Sequence, residues 1–445
     1  MFNVRVLTLY ASRFGAIGLQ SITFFLIAGM ISLEAFGEFS FLFAASRISA
    51  VILALGGTGY LLRELAVCKV DGKTDMFARY LRKILRSSIV LMLVFIIAVL
   101  LAIVSFGNSE RQGSVSSLQL ILRAIEENKE WFVILAGGYA ISMLDVTISL
   151  LRNTRSATTA MVWSDCMPFL LFLTLFLFAM HFYESISAWE MVSILAISYF
   201  ICALCSLLLS IQQLVRNEQS LSLITKSSSD EQRSYLSFWG SSILGASMAQ
   251  ADLLIAKYFL NEWELGVYSL FRKISNLVSM PQVVVNWAMS TRIARQFREK
   301  KTNELVITAR DGLFLAVPMS VIMLIAFLFS MPLWVGFFEI ELIPMLVIVF
   351  AILLFGQLFN VLSGANLLFA NQCREEGYVL RSRFISLIIG VLAMFIGAGG
   401  WGLAGMAIGV AVPIVVLNVL VSWRVRKVVG VWTPVLPLRI SLRVL

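Results

Sequence analysis

Charge is what this chain is short of. Asp, Glu, Lys and Arg make up 14% of its 445 residues and apolar residues 59%, against about 25% and 45–50% in soluble globular domains. With a mean hydropathy of +0.89, the excess cannot be hidden in one core, because the surface would be apolar too. The composition excludes a soluble enzyme, a nucleic-acid binder and a secreted scaffold. The chain reads as an all-α polytopic membrane protein.

Other shortages narrow the reading further. There are five cysteines. Cys166, Cys202 and Cys205 fall in apolar runs, and Cys68 and Cys373 in loops assigned to the cytoplasm, so a disulfide framework is excluded. Cys202-x-x-Cys205 has redox spacing but lies among Leu, Ala and Ser, where small-residue packing explains it. The single histidine, His181, stands beside Phe182 and Tyr183 in a short outer loop and reads as interfacial. No Walker loop, metal-ligand cluster or nucleophile triad is present, so no cofactor and no metal are expected. None of the loops exceeds about 25 residues, too few for an extramembrane domain that could house an active site. The first apolar run is long enough to cross a bilayer and is followed by many more, so it reads as a membrane helix rather than a cleavable signal.

A crossing needs about 20 mostly apolar residues. That rule gives about 12 transmembrane helices, at 11–33, 39–62, 88–106, 131–151, 158–180, 190–212, 237–260, 266–291, 309–331, 343–370, 384–399 and 402–423. The runs are too long and too uniform for barrel strands. Turn chemistry separates them at Asn261–Glu264, at Pro332 before Glu339–Glu341, and at glycines 397, 399, 400 and 402.

Orientation follows from Lys and Arg, which are retained on the cytoplasmic side. With both termini cytoplasmic, inner segments hold 27 of the 35 basic residues. Loop 63–87 and segment 292–310 are the richest; Arg111, Arg123 and Lys129 share the one basic outer loop. Topology therefore absorbs the net charge of +9, and no nucleic-acid partner is implied. The longest outer loop, 107–130, contains Leu118–Glu127, which could form a short surface helix. Trp131, Trp189, Trp263, Trp334 and Trp401 stand at span ends, as interfacial belts require.

The polar stretch 213–236 reads as a cytoplasmic linker between a lobe at 1–212 and a lobe at 237–427, with a tail at 428–445. The halves resemble each other. LEAFGEFSFLFAASRIS from Leu33 and EWELGVYSLFRKISNL from Glu262 align at an offset of 229, equating Gly37 with Gly266, Phe39 with Tyr268 and Ser40 with Ser269. Two six-helix lobes in the same orientation are parallel repeats about an axis along the membrane normal, an arrangement that places the substrate path between halves.

With these residues in view the chain resembles the polysaccharide-specific flippases of the multidrug/oligosaccharidyl-lipid/polysaccharide (MOP) exporter superfamily, and most nearly the Wzx-type O-antigen flippases. The Gly-Glu-Phe-Ser and Gly-Val-Tyr-Ser turns carry the likeness. So do Leu55-Gly56-Gly57-Thr58-Gly59 before Leu62-Arg63-Glu64, Ala251-Asp252-Leu253-Leu254-Ile255, and Gly402-Leu403-Ala404-Gly405-Met406-Ala407. The resemblance implies a multi-pass protein of the bacterial inner membrane that moves an undecaprenyl-diphosphate-linked oligosaccharide from the cytoplasmic to the periplasmic leaflet. It is not expected to be an enzyme. Its partners would be that lipid-linked glycan, membrane lipids and other membrane proteins of polysaccharide assembly. The related lipid II flippase usually carries two extra helices that this chain lacks.

Ionisable residues within a bilayer cost about 2.5–3.5 kcal/mol on insertion scales, so each is a functional candidate. Arg47, Asp252 and Arg272 fall at a shared depth in spans two, seven and eight. Arg272, Asn276, Ser279 and Asn286 recur on one face of span eight, with Gln282 off that line. Such a stripe cannot face lipid cheaply and should line a wet cavity. The resemblance implies that Arg13, Arg47 and Arg272 line a cationic cavity for the carrier's diphosphate, which suits the planar, permanently charged guanidinium. A structural Asp252–Arg272 pair is the alternative. Asp145 and Asp165, in the inner thirds of spans four and five, are candidates for proton coupling or for pairing with Arg13, Arg152 or Arg155. Lys257 lies near enough to the outer end to snorkel, and Lys273 points about 100° from Arg272. Glycan contacts would come from polar groups such as Asn276, Asn286, Gln357 and Asn360.

Three other functions compete. A multidrug cation/proton antiporter of the same superfamily should have an acidic, aromatic-rich cavity. An integral-membrane polysaccharide polymerase or ligase should have large charged outer loops. A bare channel would not need the repeat and the asymmetric charges, which favour alternating access.

Overall fold

The computed structural model describes residues 4–54, 129–155, 157–183, 185–216 and 229–435, with isolated positions at 89, 93 and 97. Span 88–106, loop 63–87, the Leu55–Gly59 motif, the Leu118–Glu127 segment and the end of the tail lie outside the described residues, apart from those isolated positions. Among the described residues every element is helical. In chain order they are α1 (Val4–Met30), α2 (Leu33–Leu53), α3 (Lys129–Thr154), α4 (Ala157–Met161), α5 (Met167–Phe182), α6 (Ala188–Arg216), α7 (Ser229–Phe259), α8 (Glu262–Leu277), α9 (Met280–Arg298), α10 (Thr302–Phe337), α11 (Pro344–Leu362), α12 (Asn366–Gln372) and α13 (Glu376–Val429).

Among the described residues, seven helices are long and apolar enough to cross a membrane: α2, α3, the α4–α5 run, α6, α10, α11 and α13. Their outer surfaces are apolar, with Phe314, Phe329 and Leu333 of α10 and Ile396 of α13 all exposed, as lipid-facing helices require. Helix α13 is two crossings. Its backbone leaves the helical region at Trp401 and Gly402, the latter at φ 52° and ψ −129°, a conformation that glycine adopts without a Cβ penalty. The predicted break at the 397–402 glycines is therefore real and sits at its last residue.

Three predicted spans differ in detail. Span eight, read as one helix over 266–291, is two, because Val278 and Ser279 turn back to Ser275 and Asn276 carbonyls at 3.1 and 3.2 Å. Pro281, with no N–H and a ring that opposes the preceding turn, makes the break durable. Span ten ends at Leu362, and α12 starts after Gly364, which stands at φ 68°. Helix α10, by contrast, runs through both Pro318 and Pro332 to Phe337. The expected break at Pro332 does not occur, since neighbouring helices tolerate an intrahelical proline in a membrane.

The chain divides into two compact units, Met1–Gly37 with Ser247–Leu445, and Glu38–Ala246. In the first unit α1 packs on α8 and α9, α9 on α10, and α13 on α11 and α12. An apolar cluster there joins Val285 and Ile293 of α9, Leu305 of α10, Val361 of α11, Phe369 of α12 and Val421 and Val425 of α13. In the second unit α3 lies along α6, and α5 packs beside α6, with Phe39, Phe172 and Phe176 fully buried.

Gly37 and Gly266, which the 229 offset equates, are in contact. A Cβ on Gly37 would stand 2.6 Å from the Gly266 nitrogen, and one on Gly266 would run into the Leu33 carbonyl. Any larger residue at either position would force the starts of α2 and α8 apart.

Candidate functional site

Helices α7 and α8 form a hairpin whose register is fixed at Asn261. Its side chain accepts from the Glu264 N–H at 2.8 Å while Glu264 accepts from the Asn261 N–H at 3.1 Å, a capping box that satisfies two otherwise unpaired donors. From that turn the hairpin brings Asp252 of α7 opposite Tyr268 and Arg272 of α8. Arg272 donates through Nε to Asp252 Oδ2 and through Nη2 to the Ala249 carbonyl. The Tyr268 hydroxyl donates to the same Oδ2 at 2.9 Å. The Asp252 and Arg272 side chains are 7% and 14% exposed. Arg272 is thus held by a buried, hydrogen-bonded carboxylate, and the pairing that the sequence left as an alternative is the observed geometry. Asp252 Oδ1 is buried without a partner among the described residues.

Next to this pair stands a set of amides. Asn276 follows Arg272 by one helical turn, is exposed, and accepts from Gln357 of α11 at 2.8 Å. On α9, Gln282 donates to Asn286 at 3.1 Å, so the residue set off the polar line is the partner of one on it. Ser279 donates to the Asn276 carbonyl at the helix break and contributes no separate group. Farther along the unit, Asn418 donates to Asn360 at 2.9 Å, and Asn366 donates to Asn418 and to Ser422, both at 2.9 Å.

The two lysines take separate roles. Lys273 lies 3.3 Å from the centre of the Phe24 ring and 5.9 Å from that of Phe36, a cation–π clamp that ties α1 to α8. Lys257 reaches Glu262 at 4.0 Å, beside the turn that joins α7 to α8.

In the second unit, small residues bring α2 against α3. A Cβ on Gly137 would meet Ser46 Oγ at 2.8 Å, and one on Gly138 would meet Ser49 Cβ at 2.6 Å. Two turns beyond those glycines is Asp145, which shares an electrostatic field with Arg47 of α2, Asp165 and Tyr199 of α6. Asp165 lies in a π-helical turn, Val162–Cys166, ahead of Pro168. Such turns are rare and recur at functional positions. The sequence offers proton coupling or pairing with Arg13, Arg152 or Arg155 for these carboxylates. Arg155 donates to Gln212 at 3.3 Å, and Arg47 is a cation within reach of both carboxylates' fields. Arg13 is carried by α1; its side chain lies outside the described residues.

Sequence reasoning missed Tyr268 and Tyr199. The first has a signal, since it precedes Arg272 by four residues on the same helix. The second has none that a single sequence would reveal. No group of three or more metal-ligating side chains occurs among the described residues.

Residues 238–399 match the family model MatE, which is less than half of the chain. No curated protein matches the sequence. The fold has solved relatives. An inward-facing multidrug resistance MATE family transporter of the MOP superfamily superposes with a TM-score of 0.66 at 16% identity, covering 95% of this chain and 94% of that one. The lipid II flippase MurJ in an inward closed conformation gives 0.65 at 12% identity, with 94% and 87% covered. The Vibrio cholerae MATE transporter VcmN in its bent form gives 0.61 at 14% identity, with 96% and 98% covered. The chain therefore has the multi-pass helical fold of MOP-superfamily transporters.

Proposed function

We propose that the protein is a flippase of the bacterial inner membrane. It carries an undecaprenyl-diphosphate-linked oligosaccharide, such as an O-antigen repeat unit, from the cytoplasmic to the periplasmic leaflet by alternating access. The observation that carries the reading is that each compact unit keeps an arginine on an otherwise largely apolar helix, Arg47 on α2 in one and Arg272 on α8 in the other. Guanidinium groups suit the diphosphate, being planar and charged at every pH, and the proposal has each of them meet it during the passage. The polyprenyl tail stays in lipid, and no covalent bond is made or broken. Likeness in fold to a lipid flippase is in keeping with this reading.

The test is the leaflet distribution of the polyprenyl-diphosphate glycan in vesicles from cells with and without the gene. Accumulation in the inner leaflet on deletion should be reversed by the wild type and not by an expressed Arg47→Ala/Arg272→Ala variant. An unchanged distribution in a strain without a second flippase would refute the assignment.

Export of an organic cation is the second reading. It is favoured by the second unit, where Asp145 and Asp165 outnumber Arg47, and by the multidrug transporters of like fold. Raised drug resistance on overexpression, lost in Asp145→Asn and Asp165→Asn, would favour it. If a protonophore stops glycan transport while both Asn variants respond as wild type does, these carboxylates have no part in coupling.

A further inference from the structure

We infer that Asn276 and Gln357, with Gln282 and Asn286 across the helix break, form a surface that reads the uncharged sugars of the cargo. The inference rests on the flippase reading and adds the part of the site that distinguishes one glycan from another.

The argument starts from where amides can be afforded. Helices α8 and α9 were read as one membrane crossing, yet neither is among the helices apolar enough to cross alone. Asn276 is the last residue but one of α8, roughly 21 Å along the helix from its outer end, and Gln357 lies in the body of the apolar helix α11. At that depth an exposed amide facing hydrocarbon would leave strong donors and acceptors unmet. Asn276 is nevertheless exposed. It must face water or a polar ligand.

The break between α8 and α9 points the same way. Irregular backbone at membrane depth is tolerated where it is buried in protein or lines a water-filled path. Here Val278 is fully buried whereas Asn276 is exposed on the preceding turn, so the polar side of the break is the open one. Close by in sequence, Gln282 is 5% exposed and its Oε1 is buried without a partner among the described residues. A buried acceptor of this kind can take a hydrogen bond from a donor such as a hydroxyl.

The chemistry selects the ligand class. An amide offers a donor and an acceptor side by side, and so does each pair of adjacent hydroxyls on a pyranose. The four residues bring no charge, and Arg272 one turn away is already matched to Asp252. The four amides by themselves therefore suit a neutral polyhydroxylated group rather than an anion. The Asn360–Asn418–Asn366 cluster is different. Asn366 and Asn418 are buried and bonded to one another, which makes it a structural knot and leaves it outside the reading surface.

The test measures what the sugar adds to binding. The purified protein in lipid nanodiscs is titrated with the lipid-linked oligosaccharide from its own host and, separately, with undecaprenyl diphosphate. The wild type should bind the glycosylated lipid at least tenfold more tightly. An Asn276→Leu/Gln357→Leu variant should lose roughly tenfold of that preference while binding the bare carrier as before. Asn276→Ala, at an exposed position, should lose a part of it and serves if the double variant does not fold. A preference retained in full by both variants overturns the inference and leaves the flippase reading standing. A wild type indifferent to the sugar overturns the inference too. A wild type that binds neither lipid overturns both.

Discussion

The buried pair Asp252–Arg272 can be tested by a double-mutant cycle. Replacing Asp252 with Leu strips the acceptor from Arg272 Nε and from the Tyr268 hydroxyl. With the Arg272 side chain only 14% exposed, the stranded guanidinium should cost about 3–5 kcal/mol. If half of the lower figure appears in the barrier to unfolding, the lifetime of the folded protein shortens by roughly tenfold. Arg272→Met leaves the carboxylate with the Tyr268 hydroxyl still donating to it, and should cost less. Combining the two removes both charges and fills the space with apolar atoms, a change that is commonly neutral for buried pairs. The double variant should therefore outlast Asp252→Leu and return to within about threefold of wild type.

The assay is the half-life of the monodisperse protein in detergent at a fixed elevated temperature, a rate that stays meaningful where unfolding is irreversible. Losses that simply multiply would refute the claim that the two residues act as a pair. The same double variant separates structure from transport. If it is stable yet fails to restore the outer leaflet, Arg272 serves the cargo as well as the fold; if it transports normally, its role is structural.

Three further outcomes are expected. Gly266→Ala should sharply lower the yield of folded protein by fluorescence-detected size-exclusion chromatography, because the new methyl collides with the Leu33 backbone. Gly400→Ala, with nothing within 4 Å, should leave the yield unchanged. Asn366→Leu removes donors to Asn418 and Ser422 from a site that is 1% exposed, and should destabilise by about 1–3 kcal/mol, against under about 0.5 kcal/mol for Asn276→Ala; thermal denaturation in detergent compares them. Cys373, between α12 and α13, has its thiol pushed up to about 11, chiefly by burial and then by Glu375. In a variant retaining only this cysteine, the thiolate should be scarce at neutral pH and alkylation should rise about tenfold per pH unit toward that value. Fast labelling at pH 7 without denaturant would contradict this.

The helical, multi-pass fold was legible because hydropathy and length act over whole segments. What failed were places where a few residues decide. The break within span eight is set by Pro281 and by two turn hydrogen bonds, to which an average over an apolar run is blind. The continuation of α10 through Pro332 is the opposite error, since the rule that proline ends helices comes from water, where the freed carbonyl finds other partners. The repeat was readable at Gly37 and Gly266 because a close contact restricts residue size. Of the candidate site, helix spacing indicated that Arg272 and Asn276 share a face. It left the Asp252–Arg272 pair as one of two readings, because spacing gives depth and not side-chain reach, and it could not show that Arg47 answers to Asp145 and Asp165, which come from helices distant in sequence.

The capping box at Asn261 also bears on how the chain enters the membrane. Alone, α7 would present Asp252 to hydrocarbon and α8 would present Arg272, each at a penalty of about 2.5–3.5 kcal/mol. Because the turn between them is so short, the two charges can cancel before either helix leaves the insertion machinery. Biogenesis therefore favours release of α7 and α8 as one unit. A gene split between residues 260 and 261 should yield fragments that insert poorly even when both are made together.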